Sequence, residues 1–156
     1  METENQVRDR LWLLGTWHLN RLELRHGDGT VTHPMSENPV GQLVYDDAGN
    51  MSAHLVNPNP PERPSGIADG EAYEARISYD RYTSYFGGYS VDTDRNTVSH
   101  ALIASLMPGW GGTTVVRNYR FEDPDTLILS AETGNDGQMA VLRWSRATPI
   151  RTAGSA

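Results

Sequence analysis

Two polar side chains stand on segments whose residues otherwise alternate between apolar and polar. His100 shares one face of a predicted strand with Val98, Leu102, Ala104 and Leu106. Arg117 shares a face of the next strand with Val115. Imidazole exchanges a proton near neutral pH. A guanidinium inside a protein has to meet an acid, carbonyl groups or an anionic ligand. Together they could move a proton on a substrate and polarise one of its oxygens.

Further side chains with the same predicted inward orientation would line a site around this pair. Tyrosine hydroxyls donate and accept hydrogen bonds, and a tryptophan on a loop can stack on a ring. The alternative is structural: these groups satisfy one another in a filled interior, and the tyrosines at 79, 82 and 85 form a packing stripe. The candidate ligand contacts are Glu23, Tyr45, Met51, Tyr82, Tyr85, Tyr89, Trp110 and Tyr119.

Alternation with period two, punctuated by glycine, aspartate and asparagine turns, predicts an antiparallel β-protein of about eight strands. An eight-stranded barrel has an interior that side chains fill or that holds one small ligand. The sequence does not decide which side chains of the first strand point inward. An unbroken strand carries Arg21 and Glu23 inward, whereas a bulge brings in Leu22 and Leu24 instead. The strands are predicted at residues 16–25, 41–46, 51–56, 85–92, 97–106, 113–122, 126–131 and 139–146.

Two helices interrupt the strand pattern. Thr3 and Gln6 form a capping-box pair, and the stripe Val7, Leu11 and Leu14 predicts a short helix that ends at Gly15. Apolar residues spaced three and four apart from 72 to 86 predict a second helix at residues 70–82, across or beside the barrel mouth. Prolines at 57–65 predict an extended loop before it. We expect residues 1–147 to form one barrel domain and residues 148–156 a flexible tail.

The composition of the 156 residues excludes several kinds of site. The absence of cysteine and lysine excludes thiolate nucleophiles, disulfides and Schiff-base chemistry. The formal net charge of −7 argues against nucleic acid or an anionic membrane as partner. The five histidines lack metal-ligand spacing, and we expect neither a metal nor a cofactor. With no long apolar run and no signal peptide, we expect a cytoplasmic protein that is a monomer or a homodimer.

The segment Gly15-Thr16-Trp17 resembles the opening of lipocalin-type barrels, where an arginine of the last strand packs over the tryptophan. That arginine would be Arg146 or Arg143. More specifically, the chain resembles the bacterial and fungal lipocalin-like domain family over residues 11–146. The residues that carry this resemblance are Gly41, Leu43, Tyr45, Gly49, Met51, Ser52, Ala53 and Leu55; Tyr82, Tyr85, Phe86, Gly87, Tyr89, Val91 and Asp92; and Val98, His100, Ser105, Leu106, Pro108, Trp110, Gly112, Thr113, Arg117, Tyr119 and Phe121.

The resemblance implies a small barrel with an internal cavity. Related barrels carry apolar small molecules or act as cofactor-free cyclases or isomerases in secondary metabolism. We therefore expect a small, largely apolar, polyketide-like or ring-containing ligand, with His100 moving a proton and Arg117 and tyrosine hydroxyls polarising an oxygen. Two alternatives stay open: a non-catalytic intracellular carrier of the same ligands, and a filled barrel that acts only as an interaction module.

Overall fold

The computed structural model describes residues 1–59, 80–134 and 137–147. Within them, one helix precedes a series of antiparallel strands. The predicted strands are found within a few residues of their expected bounds, and the two-residue β2 was not predicted. The elements are α1 (Glu4–Leu13), β1 (Gly15–Arg25), β2 (Val31–Thr32), β3 (Val40–Tyr45), β4 (Asn50–Val56), β5 (Tyr82–Asp92), β6 (Thr97–Ser105), β7 (Thr114–Asp123), β8 (Thr126–Glu132) and β9 (Met139–Arg146).

The sheet closes on itself, because β1 pairs with β9 as well as with β3. From β3 to β9 each strand pairs antiparallel with the next along the chain. The short β2 pairs only with the end of β1 and lies outside the closed ring. The described strands therefore form an eight-stranded antiparallel barrel, which confirms the predicted fold class.

A β-bulge decides the orientation of β1. Its register against β9 shifts between Leu19 and Arg21. Leu19 is buried before the shift and Leu22 after it, so the bulged alternative is confirmed. Glu23 alternates with Leu22 and lies on the outer face, with its carboxylate 3.8 Å from Arg21 and 3.7 Å from Arg25. The structure therefore does not place Glu23 inside the barrel.

A second bulge, at the end of β6, changes which side chains of that strand face inward. Leu102 pairs with Gly87, but Phe86 pairs with Ala104, so one strand carries an extra residue at this point. Beyond the bulge, Ala104 and Leu106 are exposed, and the expectation that they share the inner face with His100 is wrong. Gly87 is required here because an added Cβ would lie 1.9 Å from the carbonyl oxygen of Ala101.

Helix α1 covers one end of the barrel, which we call the closed end. Its capping box is confirmed: the Thr3 hydroxyl accepts from the Gln6 amide, and the Gln6 side chain accepts from the Thr3 amide. The apolar stripe that predicted this helix is largely exposed, since Val7 is 44% and Leu11 61% exposed. The helix instead buries Leu13, whose carbonyl accepts the indole N–H of Trp17 at 3.0 Å.

Several expectations fall wholly or partly outside the described residues. These are most of the second helix, most of the proline-rich loop and the C-terminal tail. Residues 80 and 81 are helical, but Tyr82 already begins β5, so the expected helix end at Tyr82 is wrong. Among the described residues, no helix is long and apolar enough to cross a membrane.

Candidate ligand-binding site

Five aromatic rings follow one another from the interior of the barrel to the loop between β6 and β7. We call this set, Tyr89, Tyr45, His100, Tyr85 and Trp110, the aromatic row. Successive ring centroids are 4.7, 5.6, 6.1 and 6.4 Å apart. Such separations are those of rings in direct contact. The row connects the closed end with the opposite end, because Tyr89 reaches the β3–β4 turn and Trp110 lies in the β6–β7 loop.

His100 is at the centre of the row and is only 1% exposed. Its Nε2 lies 2.6 Å from the Tyr45 hydroxyl, and its Nδ1 has no hydrogen-bond partner among the described residues. Burial, together with the positive charge of Arg117, lowers the pKa of His100 to about 3. Burial raises the pKa of Tyr45 well above its ordinary value. Both groups are therefore neutral near pH 7, with one imidazole nitrogen a donor and the other an acceptor.

The lowered pKa of His100 predicts a pH-dependent stability. Between pH 6.5 and about 3 the unfolded imidazole binds a proton that the folded one does not. Stability contributed by the neutral ring is complete above pH 6.5 and falls as the pH drops, by up to about 1.4 kcal/mol per pH unit. The His100→Gln variant has no imidazole at this position and therefore lacks this pH-dependent contribution to stability. The free energy of unfolding should therefore fall by about 2–3 kcal/mol more in the wild type than in His100→Gln between pH 6.5 and 4.5.

Urea unfolding of both proteins at the two pH values, followed by tryptophan fluorescence, measures this difference. Other titrating groups are common to the two chains and cancel. Equal losses of stability in the wild type and His100→Gln would show that His100 titrates normally in the folded protein.

Arg117 faces the same interior. On β7 it alternates with Val116 and Asn118, which are exposed, and it is itself half-buried. Its positive charge lowers the pKa of His100 and opposes the burial that raises the pKa of Tyr45 and Tyr85. No described residue forms a hydrogen bond or an ion pair with its guanidinium. The side chain is thus an uncompensated charge beside the aromatic row.

The interior is packed at the closed end and more open elsewhere. Trp17 and Leu127 are completely buried near α1. By contrast, Val115 and Leu142 alternate inward but remain only half-buried. Ala140, also half-buried, pairs with Ala131, so two small side chains lie together on this part of the wall. The inward surface around Arg117 therefore remains partly accessible to solvent.

Comparison with known proteins fits this architecture. A family model for the lipocalin-like domain matches residues 14–147. The chain belongs to the lipocalin-like domain family. No curated protein shows significant sequence similarity to it. Two similar solved structures are a redesigned β-barrel (16% identity, 90% of this chain and 96% of that chain, TM-score 0.45) and a biogenic amine-binding protein (12% identity, 96% and 69%, TM-score 0.45).

Four of the expected ligand contacts of this lipocalin-like domain lie away from the open interior. Tyr82 is on the outer face of β5, where it borders a surface groove of about 450 Å³ together with His54 and Val40. Tyr119 points to the closed end, where its hydroxyl donates to Asp9 at 3.1 Å. Glu23 is outside, as described above. Met51 is buried in the core and forms part of the wall.

The remaining candidates of the lipocalin-like domain come together. His100, Tyr45, Tyr85, Tyr89 and Trp110 form the aromatic row, and Arg117 faces it. Sequence reasoning did not identify Ala131 and Ala140, which pair on neighbouring strands and place two small side chains on the inner wall. The signal was available, since both are small residues at inward positions of neighbouring strands. Among the described residues, no three His, Asp or Glu side chains converge to hold a metal ion.

Proposed function

We propose that this lipocalin-like domain binds a small, largely apolar, ring-containing molecule of the polyketide type inside the barrel. The aromatic row is the observation that carries this proposal. Trp110 is 36% exposed and contacts Tyr85, which continues the row inward to His100. A planar ligand entering beside Trp110 meets ring faces and apolar walls, and few polar groups compete for it.

Hydrogen bonding inside the site would fix the orientation of the ligand. The Tyr85 hydroxyl makes no hydrogen bond with a described residue, and burial keeps it protonated by raising its pKa. The Nδ1 atom of His100 is likewise available. A buried donor or acceptor without a partner costs about 1–3 kcal/mol. A ligand oxygen or nitrogen that pairs with His100 Nδ1 recovers that free energy, and the Tyr85 hydroxyl offers the ligand a further hydrogen bond.

A titration with N-phenyl-1-naphthylamine, a neutral aromatic dye, tests the proposal. We expect saturable binding to the wild type with a rise in dye fluorescence. Trp110→Leu should weaken binding by about threefold to tenfold, the effect of losing one aromatic contact. The matched control is Phe86→Leu, which removes an exposed ring from the outer face of β5 and should leave the affinity unchanged. Non-saturable binding, or equal effects of the two variants, would contradict the proposal.

Catalysis is a second candidate, favoured by the unpartnered His100 nitrogen and the unpaired Arg117 on one interior surface. A cofactor-free isomerase or cyclase would hold a reactive conformer, with Arg117 polarising an oxygen. The pKa of about 3 argues against His100 as a general base near pH 7, because such an imidazole has little affinity for a proton. In this lipocalin-like domain His100 would act as a hydrogen-bonding group.

Product analysis separates a carrier from an enzyme. The wild type and His100→Gln are each incubated, far below the metabolite concentration, with a small-molecule extract of the source organism and analysed by liquid chromatography and mass spectrometry. A product that exceeds the protein in moles indicates turnover. Depletion of one compound to no more than the molar amount of protein indicates a carrier.

A further inference from the structure

Arg117 differs from every other arginine that the structure describes. Eight of them lie within 4.0 Å of a carboxylate: Arg8, Arg10, Arg21, Arg25, Arg95, Arg120, Arg143 and Arg146. A ninth, Arg81, donates to the carbonyl oxygen of Asn57 at 3.1 Å. Arg117 alone among the described arginines has neither kind of partner, although it points into the barrel.

An unpaired guanidinium in this position is unfavourable. Removing a charge from water costs several kcal/mol unless hydrogen bonds or an opposite charge replace the lost solvation. The nearest inward side chains offer neither: two are valines, and the hydroxyl of Tyr119, the next inward residue on β7, donates to Asp9 instead. Val98 is its cross-strand partner on β6, and Val115 is the adjacent inward residue on β7. The barrel thus holds a positive charge whose compensating group is missing from the described residues.

The polar groups near Arg117 could complete a site for an acceptor. The Tyr85 hydroxyl can donate a hydrogen bond, and the neutral His100 can donate from Nδ1 when Tyr45 donates to Nε2. The guanidinium supplies up to five N–H donors in a planar arrangement that matches a carboxylate. The positive charge of Arg117 lowers the pKa of His100 together with burial, and it opposes the rise in the pKa of Tyr85 that burial causes.

We propose that the ligand is a ring-bearing carboxylic acid whose carboxylate pairs with Arg117 while its ring lies against Tyr85 and Trp110. This inference rests on the proposed function and adds the charge of the ligand to it. It follows from the unpaired guanidinium, the free donors beside it and the aromatic surface leading to it. A carboxylate in this position would give this half-buried charge a charged partner.

The test is competition against bound N-phenyl-1-naphthylamine by two ligands of the same shape, naphthalene-1-acetic acid and naphthalene-1-acetamide. The wild type should bind the acid at least about tenfold more tightly than the amide, as expected for a charge-assisted hydrogen-bonded pair. Arg117→Gln should lose this preference and bind the amide as before, whereas Arg117→Lys should retain part of it. Arg120→Gln, which changes an exposed arginine on the outer face of the same strand, should keep the full preference.

The outcomes distinguish this inference from the function on which it rests. Equal affinities for acid and amide in the wild type, with the dye still bound, overturn the carboxylate assignment and leave ring binding intact. An unchanged preference in folded Arg117→Gln also overturns it. Failure of the dye to bind the wild type overturns both proposals. The wild-type comparison decides the question even if a substitution at Arg117 prevents folding.

Discussion

Replacing Arg146 by glutamine is expected to lower the free energy of unfolding by about 3 kcal/mol. The guanidinium donates to the carbonyl oxygens of Trp12, Leu14 and Pro124 at 2.8, 2.9 and 2.7 Å. It also lies 4.3 Å from the centroid of the Trp17 ring. One side chain thus joins the end of α1, the β7–β8 turn and the core, and its removal leaves carbonyl groups without their donor.

The matched control is Arg143→Gln. Arg143 is the other arginine that the family resemblance allowed for this role, but it forms an exposed pair with Glu122 at 2.6 Å. Exposed pairs contribute about 0–1 kcal/mol. Arg146→Lys should recover only part of the loss, because an ammonium cannot reach the same set of carbonyls. Urea unfolding followed by circular dichroism measures all three variants, and similar losses for Arg146→Gln and Arg143→Gln would contradict this account of the closed end.

Gly87→Ala is expected to destabilise the barrel by about 3 kcal/mol or more, with loss of the folded state as the extreme result. The added Cβ would lie 1.9 Å from the carbonyl oxygen of Ala101 and 2.9 Å from the amide nitrogen of Ile103. Both atoms belong to the backbone, so relief requires β5 and β6 to separate at the bulge. That movement would break the pairing that keeps Tyr85 inside and Phe86 outside.

The neighbouring glycine supplies a control for the same chemical change. An alanine Cβ at Gly88 would meet the carbonyl oxygen of Gly49 at 3.4 Å, close to ordinary contact. We expect Gly88→Ala to change the free energy of unfolding by less than about 1 kcal/mol, with reduced chain entropy in the unfolded state as a compensating gain. Thermal unfolding of the two variants compares them. If Gly87→Ala were as stable as Gly88→Ala, the described bulge would be wrong.

The barrel could be predicted from the sequence because alternation and turn residues mark each strand independently. The two β-bulges could not be predicted from the sequence. Around the first, Leu19 and Leu22 would point to opposite faces of an unbroken strand, and the alternation alone does not show whether the strand is bulged so that both point inward. Around the second, Ile103 and Ala104 are consecutive apolar residues that both lie on the outside, and their apolar character gives no sign that β6 carries an extra residue there.

The site was partly predictable for the same reason. Strand alternation placed Tyr45, Tyr85 and His100 on inner faces, but it gave no indication that Tyr45 bonds to His100 across 55 residues of sequence. The role of His100 as a proton-transfer group was inferred from residue type. Its pKa depends on burial and on the charge of Arg117, and these follow only from the closed barrel. Tyr82 was misplaced because a helical spacing of aromatic residues continued into β5.

The most direct test of ring binding inside the barrel is a crystal structure of the protein with a brominated naphthalene, located by the anomalous scattering of bromine. We expect the bromine inside the barrel, with the naphthalene ring in contact with Tyr85 and Trp110. A ligand found only in the outer groove beside Tyr82, with the interior unchanged, would contradict it.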